Sequence, residues 1–229
     1  MEAQDKSGVQ LTDEQLAEVR RRGAAAEINV SSDVVPMIQP LFRRATPDDA
    51  GTLAEFVQFA SEGLALYLWT EIAGAGHDPW NIGRERVRSE SYGVSYKNAI
   101  IAELSGQPTS GLISYSLRDR PEPISDKLPA VLIPLHELMN LAPDTWYVHA
   151  LAAYPNYRGR GQGSALLAVA DNLAVAGGTT GLSLIVSDTN VSARKLYERC
   201  GYREAAHCEM VKEHWPHPGT NWVLMRKRL

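Results

Sequence analysis

Three things that are scarce in this sequence narrow its class before any motif is considered. Its 229 residues include two cysteines, Cys200 and Cys208, which are too few for the disulfide framework of a small secreted domain. No uninterrupted apolar run approaches the roughly 20 residues that span a bilayer, so we expect no membrane partner. Positive charge is not in excess, since the formal net charge is −4. This balance argues against a nucleic-acid partner.

The first residues do not predict a secretory signal peptide. The start, MEAQDKSGVQ, is polar and has neither the cationic residues nor the apolar stretch of a secretory signal peptide. With so little cysteine, this predicts a cytoplasmic protein. Residues 1–38 are interpreted as an N-terminal extension, helical or flexible, in which Thr12 and Gln15 form a capping box before a charged segment. We assign one domain to residues 39–229.

Short apolar runs alternate with amphipathic helices along that domain, and 44% of the chain is hydrophobic. A strand is expected over 41–45, followed by a helix that Thr46 caps and Pro47 begins. Residues 67–93 are interpreted as irregular, apart from a helix over about 80–91. The first helix should bury one stripe made of Leu53, Phe56, Val57, Ala60 and Leu64.

The rest of the domain predicts a mixed sheet. NAIIAEL and GLISYSL, joined by SGQPTS, indicate a hairpin. The proline-rich segment 118–144 interrupts the strand signal and is interpreted as an insertion. Two strands, near 202–211 and 222–227, close the chain. Because strands and helices alternate but hairpins occur at both ends, we predict an α/β (α+β) fold whose sheet is mixed.

The segment YPNYRGRGQG, residues 154–163, runs from a strand signal into an apolar helix. A glycine-rich turn that opens a helix presents free main-chain N–H groups and the positive end of the helix dipole, which together favour phosphate. Arg158 and Arg160 add positive charge. The alternative is a loop that needs glycine only for its turn. Three glycines would let a pyrophosphate approach the main chain: Gly159, Gly161 and Gly163.

Two common phosphate loops do not fit. A P-loop requires Gly-Lys-Ser/Thr, whereas Gly163 is followed directly by Ser164. The Rossmann fingerprint requires Gly-x-Gly-x-x-Gly, and neither Gly159 nor Gly161 begins such a run.

The pattern that does fit is Arg-x-x-Gly-x-Gly, which starts at Arg158 after the strand-like WYVHALAAY. With it the sequence resembles the GNAT N-acetyltransferase superfamily, in which this element holds the pyrophosphate of acetyl-coenzyme A. NVSARKLYERCGY resembles the family's second segment, Asn-x-x-Ala-x-x-Leu-Tyr-x-x-x-Gly-Phe/Tyr. That segment falls on Asn190, Ala193, Leu196, Tyr197, Gly201 and Tyr202.

The resemblance implies a GNAT-like mixed, mostly antiparallel sheet of about seven strands, with strands four and five splayed apart. It implies an acetyl-CoA-dependent enzyme that acetylates a primary amine of a small molecule or peptide by direct attack in a ternary complex. Main-chain groups of Leu151, Ala152 and Ala153 would hold the pantetheine arm and the acetyl carbonyl. The predicted cofactor-binding turn consists of Arg158, Gly159, Arg160, Gly161, Gln162, Gly163 and Ser164.

Two side chains are candidates for proton transfer. His149 is the candidate general base, because an imidazole accepts a proton near neutral pH; the alternative is a hydrogen-bonded histidine inside the sheet. Tyr147 should share its face. Tyr197 resembles the family's tyrosine acid for the departing thiolate, and the alternative is a core aromatic. Asn190 would bind the pantetheine arm, cap its helix, or do both.

Other features are assigned no chemistry. Cys200 lies at the C-terminal end of its helix, where the dipole disfavours a thiolate, so we interpret it as a core cysteine. The histidines at 207, 214 and 217 fit no zinc pattern and are interpreted as part of a solvated loop, and no metal is predicted. Aromatic residues in 67–80 and the 118–144 insertion would wall an acceptor groove. A non-catalytic acyl-CoA sensor remains the alternative function, and a homodimer is left open.

Overall fold

A computed structural model describes residues 40–229 of the chain. The extension predicted for residues 1–38, with its capping box at Thr12 and Gln15, lies outside the described residues. The domain boundary at residue 39 therefore stays a prediction. The strand that opens the described part begins at Leu41, as the apolar pattern predicts.

One seven-stranded sheet organises the described residues, in the order β1-β2-β3-β4-β5-β7-β6. Neighbouring strands are antiparallel except for β4 and β5, which run parallel. The predicted mixed, mostly antiparallel sheet is confirmed. The strands are β1 Leu41–Arg44, β2 Ala99–Leu104, β3 Gln107–Ser116, β4 Thr145–Ala153, β5 Gly181–Ser187, β6 Arg203–Glu209 and β7 Asn221–Arg228.

Helices cover both faces of this sheet, because its strands alternate between two apolar clusters. On β2, Ile100 and Ala102 pack on one face while Ala99 and Ile101 pack on the other. Helices α5 and α6 lie on the first face, and α1 to α4 lie on the second. The helices are α1 Ala50–Ala60, α2 Leu64–Ala73, α3 Pro79–Arg88, α4 Ile133–Asn140, α5 Gln162–Gly177 and α6 Val191–Arg199.

The start of α1 follows its capping signal closely. Thr46 has extended backbone, and a 3-10 turn over Pro47–Asp49 leads into the helix. The Thr46 N–H donates to the Asp49 carboxylate at 2.7 Å, and the Thr46 hydroxyl donates to the same oxygen at 3.1 Å. Arg43 of β1 donates to Asp49 as well. The cap therefore joins the first strand to the first helix.

Three local predictions were wrong, and each has a structural reason. Leu64 does not extend the α1 stripe, because Glu62 and Gly63 adopt positive φ and a new helix begins at Leu64. The stretch predicted as irregular contains α2, whose apolar residues contact two clusters and so show no single stripe. The apolar spacing also predicts that Val191 shares one side of its helix with Ala193, Leu196, Tyr197 and Cys200. Val191 is instead 55% exposed, since it is the first residue of α6 and faces away from the core.

The insertion predicted at 118–144 occupies the connection between β3 and β4 and contains α4. Leu138 of this helix is buried with Leu64 of α2 and with Trp215 and Trp222 of the last loop and strand. The insertion is thus part of the core on the β5-β7-β6 half of the sheet. It fixes the position of α2 and of residues 210–220.

Candidate active site

The parallel strands β4 and β5 separate at one end of the sheet. They pair over four positions, from Thr145 with Gly181 to Val148 with Leu184. Strand β4 continues to Ala153 and β5 to Ser187 without further pairing between them. The sheet is therefore open between the C-terminal halves of two strands, next to the N-termini of α5 and α6. We call this opening the cleft.

A β-bulge lies where the cleft begins. Strand β3 pairs Ile113 with Ala150 and Ser114 with Val148, so His149 is the extra residue on β4. A bulge bends its strand and re-aims the side chain of the extra residue. The separation of β4 from β5 and the orientation of His149 thus have one local cause.

Hydrogen bonds to β3 determine which main-chain groups of β4 face the cleft. The Tyr154 N–H donates to the Thr109 carbonyl at 2.9 Å. By alternation, the main-chain groups of Ala152 also face β3, whereas those of Leu151 and Ala153 face the cleft. The predicted run of three residues is therefore divided, and two of its members offer main-chain groups to a ligand.

The turn after β4 holds two glycines in backbone that other residues rarely adopt. Gly159 and Gly161 have φ of 73° and 80°, and a Cβ on either would meet no atom within 4 Å. The space beside both α-carbons is therefore open. Gly163 differs, because a Cβ there would lie 2.9 Å from Leu196 Cδ2. Gly163 therefore allows α5 to pack closely on α6.

Free N–H groups line the start of α5. The first bond within the helix runs from the Ala165 N–H to the Gly161 carbonyl, at 3.1 Å. The N–H groups of Gln162, Gly163 and Ser164 consequently have no acceptor inside the helix. Gln162 is 6% exposed, and its side-chain oxygen has no partner. What Gln162 can offer an anion is its main-chain N–H.

Both arginines of the turn lie against aromatic rings. The Arg158 Nε donates to the Ala153 carbonyl at 3.1 Å, and its guanidinium lies 5.9 Å from the centre of the Phe59 ring. Arg160 lies 5.5 Å from the Tyr157 ring. No carboxylate among residues 40–229 forms a salt bridge with either one. Their charge is available beside the free N–H groups.

His149 lies in an aromatic cluster. Its ring centre is 5.9 Å from Tyr115 and 5.9 Å from Tyr147, which agrees with the predicted shared face. Burial lowers the pKa of His149 to about 4, so the ring is neutral at neutral pH. Its Nδ1 lies 3.2 Å from the Tyr115 hydroxyl. Nε2 can accept a proton only in the tautomer whose Nδ1–H donates to that hydroxyl.

Tyr197 and Asn190 lie along α6 next to the cleft. Tyr197 is 8% exposed and packs 5.9 Å from Tyr202. Burial, with a contribution from the negative charge of Glu62, raises the pKa of Tyr197, so its hydroxyl stays protonated. Asn190 caps the helix by accepting from the Ala193 N–H at 3.1 Å, while its amide donates to Glu62 at 2.6 Å.

The sequence interpretation missed Glu62 and misjudged His217. The expectation that His217 belongs to a solvated loop is wrong: its side chain is 3% exposed and its ring stacks on Trp215 at 4.3 Å. Its Nε2 lies 2.8 Å from the Glu62 carboxylate. A local signal existed, because WPHPG contains two prolines and an aromatic residue that stiffen and bury a loop. Nothing local indicated Glu62.

The remaining candidates carry no visible chemistry. Cys200 is half-buried against the main core at the end of α6, as expected. Burial raises the pKa of the Cys208 thiol. Within residues 40–229, no three His, Cys, Asp or Glu side chains are grouped as a metal would need. No helix in the same residues is long and apolar enough to cross a membrane.

Comparison with solved structures supports the fold. A structure described as an acetyltransferase is 19% identical, with a TM-score of 0.56, covering 82% of this chain and 98% of that one. Ard1 from Thermoplasma volcanium is 12% identical, with a TM-score of 0.53, covering 84% and 99%. An N-acetyltransferase from Staphylococcus aureus Mu50 is 18% identical, with a TM-score of 0.52, covering 81% and 98%.

A family model gives the stronger result. Comparison with proteins of curated function finds no sequence match. The model of the acetyltransferase (GNAT) family matches residues 66–202, which include β4, the glycine turn and α6. Since this match extends over more than half of the 229 residues, the chain belongs to the GNAT acetyltransferase family, whose members are acetyl-CoA-dependent N-acetyltransferases.

Proposed function

We propose that this enzyme transfers the acetyl group of acetyl-CoA to a primary amine of a small molecule or peptide, by direct attack within the cleft. The observation that carries the proposal is the separation of β4 from β5 beyond Val148 and Leu184, directly beside the turn at 158–164. Main-chain hydrogen-bonding groups and free helix N–H groups meet there. A thioester with a long amide-containing arm and a pyrophosphate needs both.

The residues present fit such a donor. Open space over Gly159 and Gly161 leaves room for phosphate against the main chain, and the N–H groups of Gln162, Gly163 and Ser164 can donate to it. Main-chain groups of Leu151 and Ala153 can pair with amides of the pantetheine arm. When bound, acetyl-CoA supplies the thioester carbonyl that the amine attacks. The Ala153 carbonyl already accepts from Arg158, and its second lone pair can accept from the arm.

Tyr197 is proposed as the hydrogen-bond donor to the sulfur that gains charge. Its raised pKa keeps the hydroxyl protonated at neutral pH. Complete proton transfer to a thiolate, whose conjugate thiol has a pKa of about 8.5, would be uphill from this tyrosine. Its role is therefore to stabilise the developing negative charge while solvent completes the protonation.

His149 is proposed to accept the proton of the amine, directly or through water. A primary alkylammonium has a pKa of about 10.4 and cannot attack while protonated. With a pKa of about 4, His149 is always available as an acceptor but is a weak one. It can relay a proton during attack only in the tautomer with a free Nε2, which requires Nδ1–H to donate to Tyr115.

Direct attack is favoured over an acetyl-cysteine intermediate. Cys200 follows the last turn of α6 and is half-buried against Tyr197 and Tyr202 in the core. The negative end of the helix dipole disfavours the thiolate that a covalent route would need. Amine and thioester would then have to be bound together.

The test is release of free coenzyme A from acetyl-CoA over a panel of primary amines. Turnover with at least one amine is expected, with a fall of roughly 100-fold in kcat for Tyr197→Phe and a smaller fall for His149→Ala. Tight acetyl-CoA binding without turnover on any amine would instead support the sensor module. The cytoplasmic location and a homodimer stay predictions.

A further inference from the structure

A carboxylate of unusual placement lies at the turn between α1 and α2. Glu62 has a φ of 52° and is followed by Gly63 at 98°, so the chain reverses sharply there. A Cβ on Gly63 would lie 3.3 Å from Trp215 Nε1, which shows how closely segment 210–220 packs on this turn. The Glu62 side chain is 26% exposed. It is therefore both supported by the fold and reachable from solvent.

Two neutral donors orient this carboxylate. Glu62 Oε1 accepts from Asn190 Nδ2 at 2.6 Å, and Oε2 accepts from His217 Nε2 at 2.8 Å. The Gly219 N–H donates to His217 Nδ1 at 3.0 Å. Because Nδ1 must offer a lone pair to that N–H, His217 is the neutral tautomer with its proton on Nε2. Its burial against Trp215 keeps the ring in place.

The charge of Glu62 has no counterion among residues 40–229. Its two partners are uncharged, and the nearby lysine, Lys212, donates to the His217 carbonyl at 2.8 Å. A carboxylate has about four lone-pair sites, and two are used here. A partly buried carboxylate in this state favours a cation.

Glu62 also lies within electrostatic reach of the proposed chemistry. Its charge contributes to the raised pKa of Tyr197, and its partner Asn190 begins the helix that carries Tyr197. Helix α1, which ends just before Glu62, packs across β4. The carboxylate therefore lies beside the cleft.

We propose that the Glu62 carboxylate, held in position by His217 and Asn190, is the contact that recognises the positively charged amine of the acceptor. The inference rests on the proposed function and names its substrate class, a primary amine that reaches the enzyme as an ammonium ion. An ammonium has three N–H donors, of which Glu62 would accept one or two. The bound ammonium must still lose one proton before its nitrogen attacks. The role proposed for Glu62 is to bind the ammonium, not to remove that proton.

The experiment compares two amines of similar size, one charged and one neutral at neutral pH. Benzylamine carries a proton there, and 4-methoxyaniline does not. In Glu62→Gln, kcat/KM for benzylamine should fall roughly 10- to 100-fold, mainly through KM, as for loss of a hydrogen bond to a charged group. For 4-methoxyaniline the change should stay below about threefold, and the Kd for acetyl-CoA should not change.

Matched variants control for structural damage. Glu90→Gln makes the same change at an exposed carboxylate paired with Lys97, and it should leave both amines unaffected. Glu62→Asp keeps the charge but withdraws it by one methylene, so its loss should be intermediate and confined to benzylamine. This variant replaces Glu62→Gln if the latter does not fold. Equal losses for the two amines, or no loss for benzylamine, would overturn the assignment.

A binding measurement separates this inference from the proposed function. If the wild-type enzyme acetylates none of the amines, calorimetry on the protein saturated with coenzyme A compares benzylamine with benzyl alcohol. Putrescine and an uncapped alanine tripeptide serve as further cations. A preference for cations that disappears in Glu62→Gln supports the assignment even without turnover. If the wild type has no such preference, or the variant retains it, the assignment is wrong.

Discussion

The two sides of the cleft are built in different ways. The proposed donor side consists of residues 154–164 and the start of α5, and the groups proposed to bind acetyl-CoA there are consecutive main-chain atoms of one segment. The proposed acceptor side consists of the α1–α2 turn, the start of α6 and residues 210–220. Its central contacts join Glu62 to Asn190 and to His217, 128 and 155 positions away. One side depends on local backbone, and the other depends on the whole fold.

This difference predicts which substitutions each side tolerates. Main-chain N–H groups survive most side-chain changes but not a change of backbone conformation at glycine. The acceptor side should behave the other way, because its proposed function lies in the Glu62 side chain, which His217 and Asn190 orient. Substitutions can therefore be chosen that disturb acetyl-CoA binding and amine binding separately. The residue between the two sides, Tyr197, should affect neither binding step but the reaction itself.

The largest effect is expected at that residue. Tyr197→Phe removes the hydroxyl without changing the packing of the ring. We therefore expect kcat to fall about 100-fold, while the Kd for acetyl-CoA and the Kd for the amine change little. Steady-state kinetics with acetyl-CoA and an active amine measure this. Tyr202→Phe is the matched control, because Tyr202 packs against Tyr197 and its buried hydroxyl has no partner. A loss in the control as large as in Tyr197→Phe would assign the effect to packing.

The donor side can be broken at one glycine. Gly161→Ala places a Cβ at a φ of 80°, costing about 1–2 kcal/mol of backbone strain and crowding the phosphate path. We expect acetyl-CoA to bind about 10-fold more weakly, with amine binding unchanged. Gly178→Ala is the control, since Gly178 ends the same helix with a φ of 67° and open space beside it. The control should lose similar stability, measured by urea unfolding, but no affinity.

The acceptor side can be weakened without touching Glu62. His217→Phe keeps an aromatic ring against Trp215 but removes the N–H that orients the carboxylate. KM for a cationic amine should rise about 5-fold, less than in Glu62→Gln, because the charge remains. His217→Gln can still donate to Glu62 and should recover part of this loss. If both variants raise KM for acetyl-CoA instead, His217 serves the donor side and the comparison between the two sides fails.

The same difference explains why the donor side could be predicted from sequence and the acceptor side could not. The pattern from Arg158 to Gly163 is contiguous, and the strand before it and the helix after it both form where their periodicity indicates. The cap at Asn190 is set by equally local sequence. In these segments the residues that determine the backbone conformation are neighbours in sequence, so the local pattern is enough to predict it.

The acceptor side could not be predicted in this way. Helix α2 has apolar residues toward two clusters, so no single stripe identifies it. Glu62 appears in the sequence as one acid among many, and only tertiary packing brings it to His217. Gly163 is a further example. A glycine is needed there because α5 packs closely on Leu196 of α6, and no local pattern predicts that contact. The division of Leu151, Ala152 and Ala153 between cleft and sheet required the register with β3.

The smallest effect concerns His149, which lies where the two sides meet. Burial lowers its pKa to about 4, so between about pH 6.5 and pH 4 the unfolded chain binds a proton at this residue that the native protein does not. Its neutral form therefore contributes stability that is present above the unfolded pKa and is lost as the pH falls through this range. Because residue His149 keeps some exposure to solvent, which weakens the effect of burial, we expect about 1 kcal/mol between roughly pH 7 and pH 5.

Urea unfolding of the wild type and of His149→Asn at the two pH values measures this contribution. The difference in free energy of unfolding between the two proteins should change with pH by about that amount, with the wild type losing more on acidification. Tyr115→Phe removes the hydroxyl beside Nδ1 and tests whether the ring stays neutral because of burial or because of that hydrogen bond. If burial is the cause, the variant keeps the wild-type pH dependence. If the difference between wild type and His149→Asn does not change with pH, His149 is hydrated and titrates as an ordinary histidine. Its imidazole would then be a stronger base for the amine than a buried imidazole.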